Sequence, residues 1–225
     1  MTNFSATLVN QTDSVWTLAV FITIPNAAGM LSVAWQVSPA VAPTGNDGVT
    51  WNDGANVCIG TSTTTSGVQV FKQNLSQPAA ADQWWAVTSN SGALTLTLTQ
   101  NAPTPGQIQV TNSSTQVTNV ALGYSGSAAV YAPNLLINAA TGFIPIPQYW
   151  ALITQSVPKP GQVVAYATTP SPSQPARRTA NVQQGTGQFL PPKALNFPAN
   201  QTAATVTLKL DGSSLNASIV YAPLT

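Results

Sequence analysis

Five aspartates (Asp13, Asp47, Asp53, Asp82 and Asp211), one cysteine (Cys58), and neither histidine nor glutamate: apart from hydroxyls and a few cations, that is all the acid–base and nucleophilic material in this 225-residue chain. Without histidine there can be no Ser–His–Asp or Cys–His unit, no HExxH zinc site and no imidazole acid–base catalyst. One cysteine rules out an intrachain disulfide and a cysteine-rich zinc site. Flanked by Val57 and Ile59, it reads as a small buried hydrophobe, with a reactive thiol the lesser alternative. Gly123-Tyr124-Ser125-Gly126-Ser127 looks superficially like a nucleophile elbow, but its second glycine falls one position early and no base exists. An aspartic dyad is not signalled, because no Asp-Thr-Gly or Asp-Ser-Gly occurs. Asp211-Gly212 reads as a hairpin turn. Phosphate-binding and dinucleotide fingerprints are absent, so no cofactor and no enzyme activity are expected. Asp47 and Asp53, with Asn46, Asn52 and Asn56, are weak candidates for a calcium site; Asn and Asp are equally the residues that tight turns use.

Charged residues make up 5% of the chain, with a net charge of +1, against roughly 25% in an average soluble domain. With six scattered cations there is no basic stripe, so neither nucleic acid nor an anionic membrane surface is an expected partner. No apolar run reaches the roughly 18–20 residues of a membrane span. Thr, Ser, Asn and Gln must hydrate the surface. The first residues, MTNFSATLVNQTD, hold no cation and no apolar h-region, and do not read as a Sec signal peptide. Six Asn-x-Ser/Thr triplets (Asn3, Asn10, Asn74, Asn112, Asn200, Asn216) are expected by chance in so Asn- and Thr-rich a chain.

The elements that must position these residues are strands. LSVAWQVS at 31–38 alternates strictly, with Leu31, Val33, Trp35 and Val37 on one face, until Pro39 and Pro43 stop it. Asn-Asp-Gly follows twice, at 46–48 and 52–54, which predicts a very short strand between two reversals. Period-2 segments recur at 4–9, 16–24, 57–59, 67–71, 84–88, 94–99, 107–111, 120–124, 128–131, 149–154, 162–167, 203–210 and 217–221, with Gly, Pro or Asn between them. The pattern predicts an all-β fold: a single-domain antiparallel β-sandwich over 1–225, Greek-key or jelly-roll-like, with Trp16, Val20, Leu31, Trp35, Leu94, Leu96, Leu98 and Leu208 in its core. No internal repeat of fixed length stands out. Residues 168–193 are richer in Pro, Ser and Gln, hold the adjacent pair Arg177-Arg178, and read as an insertion.

Several stretches carry a resemblance: LSVAWQVSPAVAPTG, VTWNDGANVCIG, ALGYSGSAAVYAPN, PQYWALI and LNFPANQTAATVTLKLDG, in that order. In them the chain resembles the rhizosphere-induced protein (RhiA-like) family of bacteria. The resemblance brings no catalytic residues. It implies a small bacterial protein made in quantity and acting outside the cell or at its surface without a cleaved signal, with a cytoplasmic home the alternative.

Two functions of different kinds fit these residues. In the first, the protein is a non-enzymatic structural protein whose partner is itself, forming a homo-oligomer or extracellular filament. Low charge offers little repulsion between copies. The terminal segments 2–10 and 217–221 hold neither charge nor proline and could pair at open sheet edges. Asn3, Phe4, Ser5, Thr7, Leu8, Ile219 and Tyr221 would then make the contact, with Arg177 and Arg178 as a second one. The alternative is a lectin-like module binding glycans. Trp84 and Trp85, adjacent in one strand, must face opposite ways, and one of them could join Trp150 on a sugar-binding surface.

Overall fold

The computed structural model describes residues 1–164, 188–212 and 214–223. Among these residues, eighteen strands and no helix make up the regular structure. The first arm of the chain forms β1 (Asn3–Gln11), β2 (Thr17–Thr23), β3 (Leu31–Val33), β4 (Gln36–Val37) and β5 (Asn46–Asn52). The middle forms β6 (Ala55–Thr65), β7 (Val68–Pro78), β8 (Gln83–Asn90), β9 (Ala93–Asn101), β10 (Ile108–Asn112), β11 (Thr118–Tyr124), β12 (Ser127–Leu135) and β13 (Ala140–Phe143). The second arm forms β14 (Gln148–Thr154), β15 (Val163–Val164), β16 (Lys193–Leu195), β17 (Ala203–Asp211) and β18 (Ser214–Ala222). The expected strand over 162–167 begins as β15, and the rest of it, like most of the 168–193 insertion, lies outside the described residues.

Four sheets result, ordered β18-β17-β1-β5, β16-β14-β2-β4, β9-β8-β10-β13 and β7-β6-β11-β12-β3-β15. Most pairs are antiparallel, as expected of a sandwich, but β1–β17 and β8–β10 run parallel. Those two exceptions are equivalent. The sheets repeat one plan twice: β1, β2, β4 and β5 pair with β17, β14 and their neighbours as β10, β11, β12 and β13 pair with β8, β6 and theirs. One apolar cluster runs through both sets, from Leu8, Trp16 and Val206 to Val87, Ile108 and Leu122.

The strand plan is therefore duplicated within the chain, though not at a fixed spacing. Its anchor is a buried asparagine near the end of β1 and again at the end of the equivalent β10. Asn10 Nδ2 donates to the carbonyls of Ser14, Val41 and Ala42 at 2.7, 3.0 and 3.1 Å. Its Oδ1 accepts the Thr12 N–H at 3.0 Å and the Thr12 hydroxyl at 2.8 Å. At Asn112, Nδ2 donates to the carbonyls of Gln116 and Leu135 at 2.8 and 2.9 Å. Its Oδ1 accepts the Ser114 N–H and hydroxyl at 3.1 and 2.6 Å. Two of the six Asn-x-Ser/Thr triplets are thus the same corner, used twice. The repeat hides because its spacing drifts. Asn10 and Asn112 stand 102 residues apart, whereas Gly48 and Gly142, which oppose Thr7 and Gln109 in equivalent registers, stand 94 apart. The hairpins β8–β9 and β17–β18 reverse at Asn90/Ala93 and Asp211/Ser214, 121 apart.

Three sequence readings change at close range. The alternation over 31–38 is not one strand: β3 pairs with β12, β4 pairs with β2, and Ala34-Trp35 carries the chain from one sheet to the other. Period-2 patterning cannot register such a crossing, since both pieces keep an apolar face. The first Asn-Asp-Gly is no reversal but lies inside β5, where a Cβ on Gly48 would collide with the Ala6 carbonyl oxygen; only the second, with Gly54 N–H donating to Asn52 Oδ1 at 3.0 Å, is a turn. Of the expected core, Trp16, Val20, Trp35, Leu96 and Leu208 are buried, and Leu31 and Leu94 are half-buried. Leu98 is 48% exposed: it pairs with Trp85 towards the end of an edge strand, just before a register shift at Trp84/Trp85.

Candidate functional site

Two features could do something beyond holding the fold: an aromatic seam opening into a groove, and the strand edges. The seam grows from Trp35. Its backbone N–H donates to the Val20 carbonyl at 2.9 Å, and its indole N–H to the Tyr124 carbonyl at 3.1 Å. Around it stand Trp51 of β5 at 5.8 Å between ring centroids, Tyr124 of β11 at 6.2 Å and Tyr149 of β14 at 6.4 Å. Phe4 and Phe197 continue the stack, 5.5 and 6.1 Å from Tyr149.

Trp51, Tyr124 and Tyr149 are 4, 1 and 8% exposed. The Trp51 indole N–H and both tyrosine hydroxyls lack a hydrogen-bond partner. Burial pushes the Tyr149 phenol up to about 12, with Asp53 adding to the rise while the nearby Trp51 draws it down. Burial raises Tyr124 further, and Tyr149 adds to that. Both tyrosines are therefore neutral at physiological pH and cannot serve as bases.

A surface groove of about 550 Å³ opens where the seam meets solvent, lined by Phe4, Gln148, Tyr149, Trp150, Asn196 and Phe197 among others. Trp150 is half-buried, stacks at 6.3 Å and 12° on Phe21, and donates its indole N–H to Thr23 Oγ1 at 3.1 Å. Trp84 and Trp85 do face opposite ways. Trp85 is buried, and Trp84 is half-buried with its N–H held by Thr111 Oγ1 at 2.8 Å. Both lie in the β9-β8-β10-β13 sheet, whereas Trp150 lies in the β16-β14-β2-β4 sheet, and of the three only Trp150 lines the groove. The sequence reading missed Phe4, Asn196 and Phe197 as groove residues. They are far apart in the chain, and no periodicity links them.

The self-association residues divide. Asn3, Phe4, Ser5, Thr7 and Leu8 lie on β1, which is an inner strand with β17 on one side and β5 on the other, so it offers no open edge. This corrects the N-terminal half of the edge expectation: absence of charge and proline marks an interior strand as readily as a free one. Ile219 and Tyr221 lie on β18, which does end its sheet. Lys193 Nζ donates to the Ala217 carbonyl at mid-strand there, and the Tyr221 hydroxyl accepts the Asn196 N–H at 3.0 Å. Its equivalent β9, ALTLTLTQN, also ends its sheet and also holds neither charge nor proline. No described side chain outside the strand hydrogen-bonds to the β9 backbone. The same compositional signal was there to be read in β9. Arg177 and Arg178 lie outside the described residues.

Asp47 Oδ1 accepts the Gly48 N–H at 2.6 Å, and Asp53 Oδ1 accepts the Thr2 N–H at 2.8 Å. Asp47 thus accepts from its neighbour within β5, and Asp53 from the start of the chain. Among the described residues no three of His, Cys, Asp or Glu gather as a metal site would need. Cys58 is buried, with Asn56 Nδ2 2.8 Å from its sulfur, and burial pushes its thiol up to about 11, so at neutral pH it is no nucleophile. The Gly-x-Ser-Gly-Ser stretch is the tight turn between β11 and β12: Ser125 and Gly126 both have positive φ, as do Ser66-Gly67 and Ser91-Gly92 in two other hairpins. No helix among the described residues is long and apolar enough to cross a membrane.

Comparison with known families agrees with the resemblance read from the motifs: the RhiA family model matches residues 1–174. The chain belongs to the RhiA family. The match spans the first arm, the whole middle, and β14 and β15 of the second arm. The LNFPANQTAATVTLKLDG stretch, which also contributed to the resemblance, lies beyond it. No curated protein and no solved structure matches the chain.

Proposed function

We propose that this RhiA-family chain is a non-enzymatic structural protein that associates with copies of itself, as a homo-oligomer or filament, and acts outside the cell or at its surface. One observation carries the reading. β9 is a nine-residue edge strand with no charge, no proline and, among the described residues, no hydrogen-bonding cover, and natural proteins seldom leave such an edge bare. A second copy is the occupant that best fits an uncharged Thr-rich edge, because main-chain hydrogen bonds supply attraction without a charge pattern and alternate side chains set the register. A net charge of +1 leaves little repulsion to overcome.

Placing a lysine at the exposed mid-strand position, Thr97→Lys, should lower the assembled fraction at least tenfold in size-exclusion with light scattering while leaving the circular dichroism spectrum unchanged. Unaltered assembly by that variant, or a parent that stays monomeric at every concentration, would remove the reading. Detection of the native protein only in the cytoplasmic fraction would overturn the location. The alternative is glycan binding in the groove, favoured by Phe4, Tyr149, Trp150 and Phe197 lying beside the amides of Gln148 and Asn196. A Phe197→Ala chain that loses retention on an immobilised glycan would support it.

A further inference from the structure

The two equivalent sets of strands are assembled from the chain in different ways. The middle set, β6 to β13, is continuous. The other is built from the two ends: β1, β2, β4 and β5 come from the first arm, β14, β16, β17 and β18 from the second. Among the described residues, every strand pairing the second arm makes beyond itself is with a strand of the first arm, β17 on β1, β14 on β2 and β15 on β3, except for a single bridge between Gln162 and Val70.

Only one covalent connection holds the second arm to the rest of the chain: Ile144-Pro145-Ile146-Pro147. Its two prolines have no N–H to donate, and the Ile146 N–H donates back to the Ile144 carbonyl at 2.8 Å, so residues 145–147 make no described hydrogen bond to the body of the protein. A four-residue hinge whose two prolines fix φ is short and stiff, and short hinge loops favour exchange of the element they carry over its return to its own chain. That face is large and apolar. β2 is buried along its whole length, and until the arm arrives β1 and β2 each lack a neighbour. An arm from another chain carries the same residues and meets the same register.

We propose that copies of this chain associate by exchanging the second arm, with β17, β14 and β15 of one chain completing β1, β2 and β3 of the next. Each copy then donates one arm and accepts one, so the exchange runs on head to tail as an open filament, or closes as a reciprocal dimer, without any new interface. This rests on the self-association reading but asks for a different contact from the β9 edge.

Thr7 and Thr205 are half-buried Cα partners in the parallel β1–β17 pair, suitably placed for a disulfide. The test uses two full-length chains in a Cys58→Ser background, one carrying Thr7→Cys and the other Thr205→Cys. They are mixed, unfolded, refolded together and oxidised, and the assembled fraction is run on a non-reducing gel. Arm exchange gives a covalent heterodimer. A double variant, Thr7→Cys with Thr205→Cys, oxidised after assembly, gives a ladder of linked chains.

An assembled fraction in which the double variant links only within single chains would overturn arm exchange and leave the edge reading standing. Absence of any assembled fraction would overturn both. A circularly permuted chain supplies a control that does not depend on cysteine. The Thr202 N–H donates to the Ala222 carbonyl and the Ser5 N–H to the Thr202 carbonyl, so the termini are close enough to join. Opening that chain before Ala55 makes both sets continuous, and the permuted protein should fold but lose the ladder-forming assembly. Retained assembly would count against the exchange.

Discussion

The two strand sets share a plan and differ in what protects them. In the middle set the chain runs straight from β9 into β10, so the hairpin β8–β9 is joined covalently to the strand it pairs with. In the other set the equivalent hairpin, β17–β18, lies at the opposite end of the chain from its partner β1 and is held there by the parallel ladder and the core alone. The edges are managed the other way round. β18 has the Lys193 ammonium on its Ala217 carbonyl, whereas β9 has no such cover among the described residues. One plan used twice thus yields one set that is covalently secure but open at its edge, and another that is covered at its edge but closed only non-covalently. The two proposed modes of association each rest on one of these weaknesses.

The strongest way to break the comparison is to cut the joint between the sets. Trp35 lies where the chain passes from the sheet of β3 to the sheet of β2, with its ring among Trp51, Tyr124 and Tyr149. Trp35→Ala should cost about 3–5 kcal/mol, and calorimetry should show the single transition broadening or splitting as the sets uncouple. An unchanged melting profile would mean that the sets do not depend on the seam.

The next largest effect tests the equivalence itself. Asn10→Ala and Asn112→Ala each strand buried carbonyls and an N–H, and each should cost about 2–3 kcal/mol in urea unfolding. Asn10 should be the more costly, since it serves three carbonyls and Asn112 two. Tolerance of one substitution but not the other would show that the two corners are alike in geometry only.

A smaller effect separates the sets by pH. Burial raises Tyr149 from 10.0 to about 12 and Cys58 from 9.0 to about 11, and raises Tyr124 as well. The unfolded chain therefore loses these protons first as pH rises. The stability tied to them is complete below about pH 9 and lost progressively through pH 9–12. Melting temperature should be level from pH 7 to 9 and fall above it. Tyr149→Phe, which also removes a buried hydroxyl without a partner, should soften the fall and leave stability at pH 7 the same or slightly higher. A profile that stays level to pH 11.5 would contradict the burial of these groups.

The smallest expected effect is none. Prolonged chelation should leave the melting temperature within error, because Asp47 and Asp53 already accept backbone N–H groups and no other acid joins them. A loss of several degrees, restored by calcium, would reverse this.

Much was legible in the residues themselves. The lack of histidine and glutamate, the single cysteine and the scarcity of charge ruled out whole classes of chemistry with no reference to shape, because they concern which atoms the chain possesses. Period-2 alternation and Gly/Pro/Asn punctuation placed most of the strands, since a pleated strand puts successive side chains on opposite faces wherever it sits. Tertiary structure alone decided what depends on partners. Whether β1 is an edge or an interior strand is settled by β17, nearly two hundred residues away. Whether 31–38 is one strand or a crossing between sheets is settled by β12 and β2 on its two sides. The duplication was carried by hydrogen-bond geometry around Asn10 and Asn112 more than by letters, because a corner needs one amide and a hydroxyl two residues later and tolerates almost anything in between. The groove exists only because Phe4, Tyr149 and Phe197 are brought together from three parts of the chain. Local sequence sets the conformation of a strand; long-range pairing sets its neighbours, and in this protein the candidate functional surfaces are defined by which neighbours are missing.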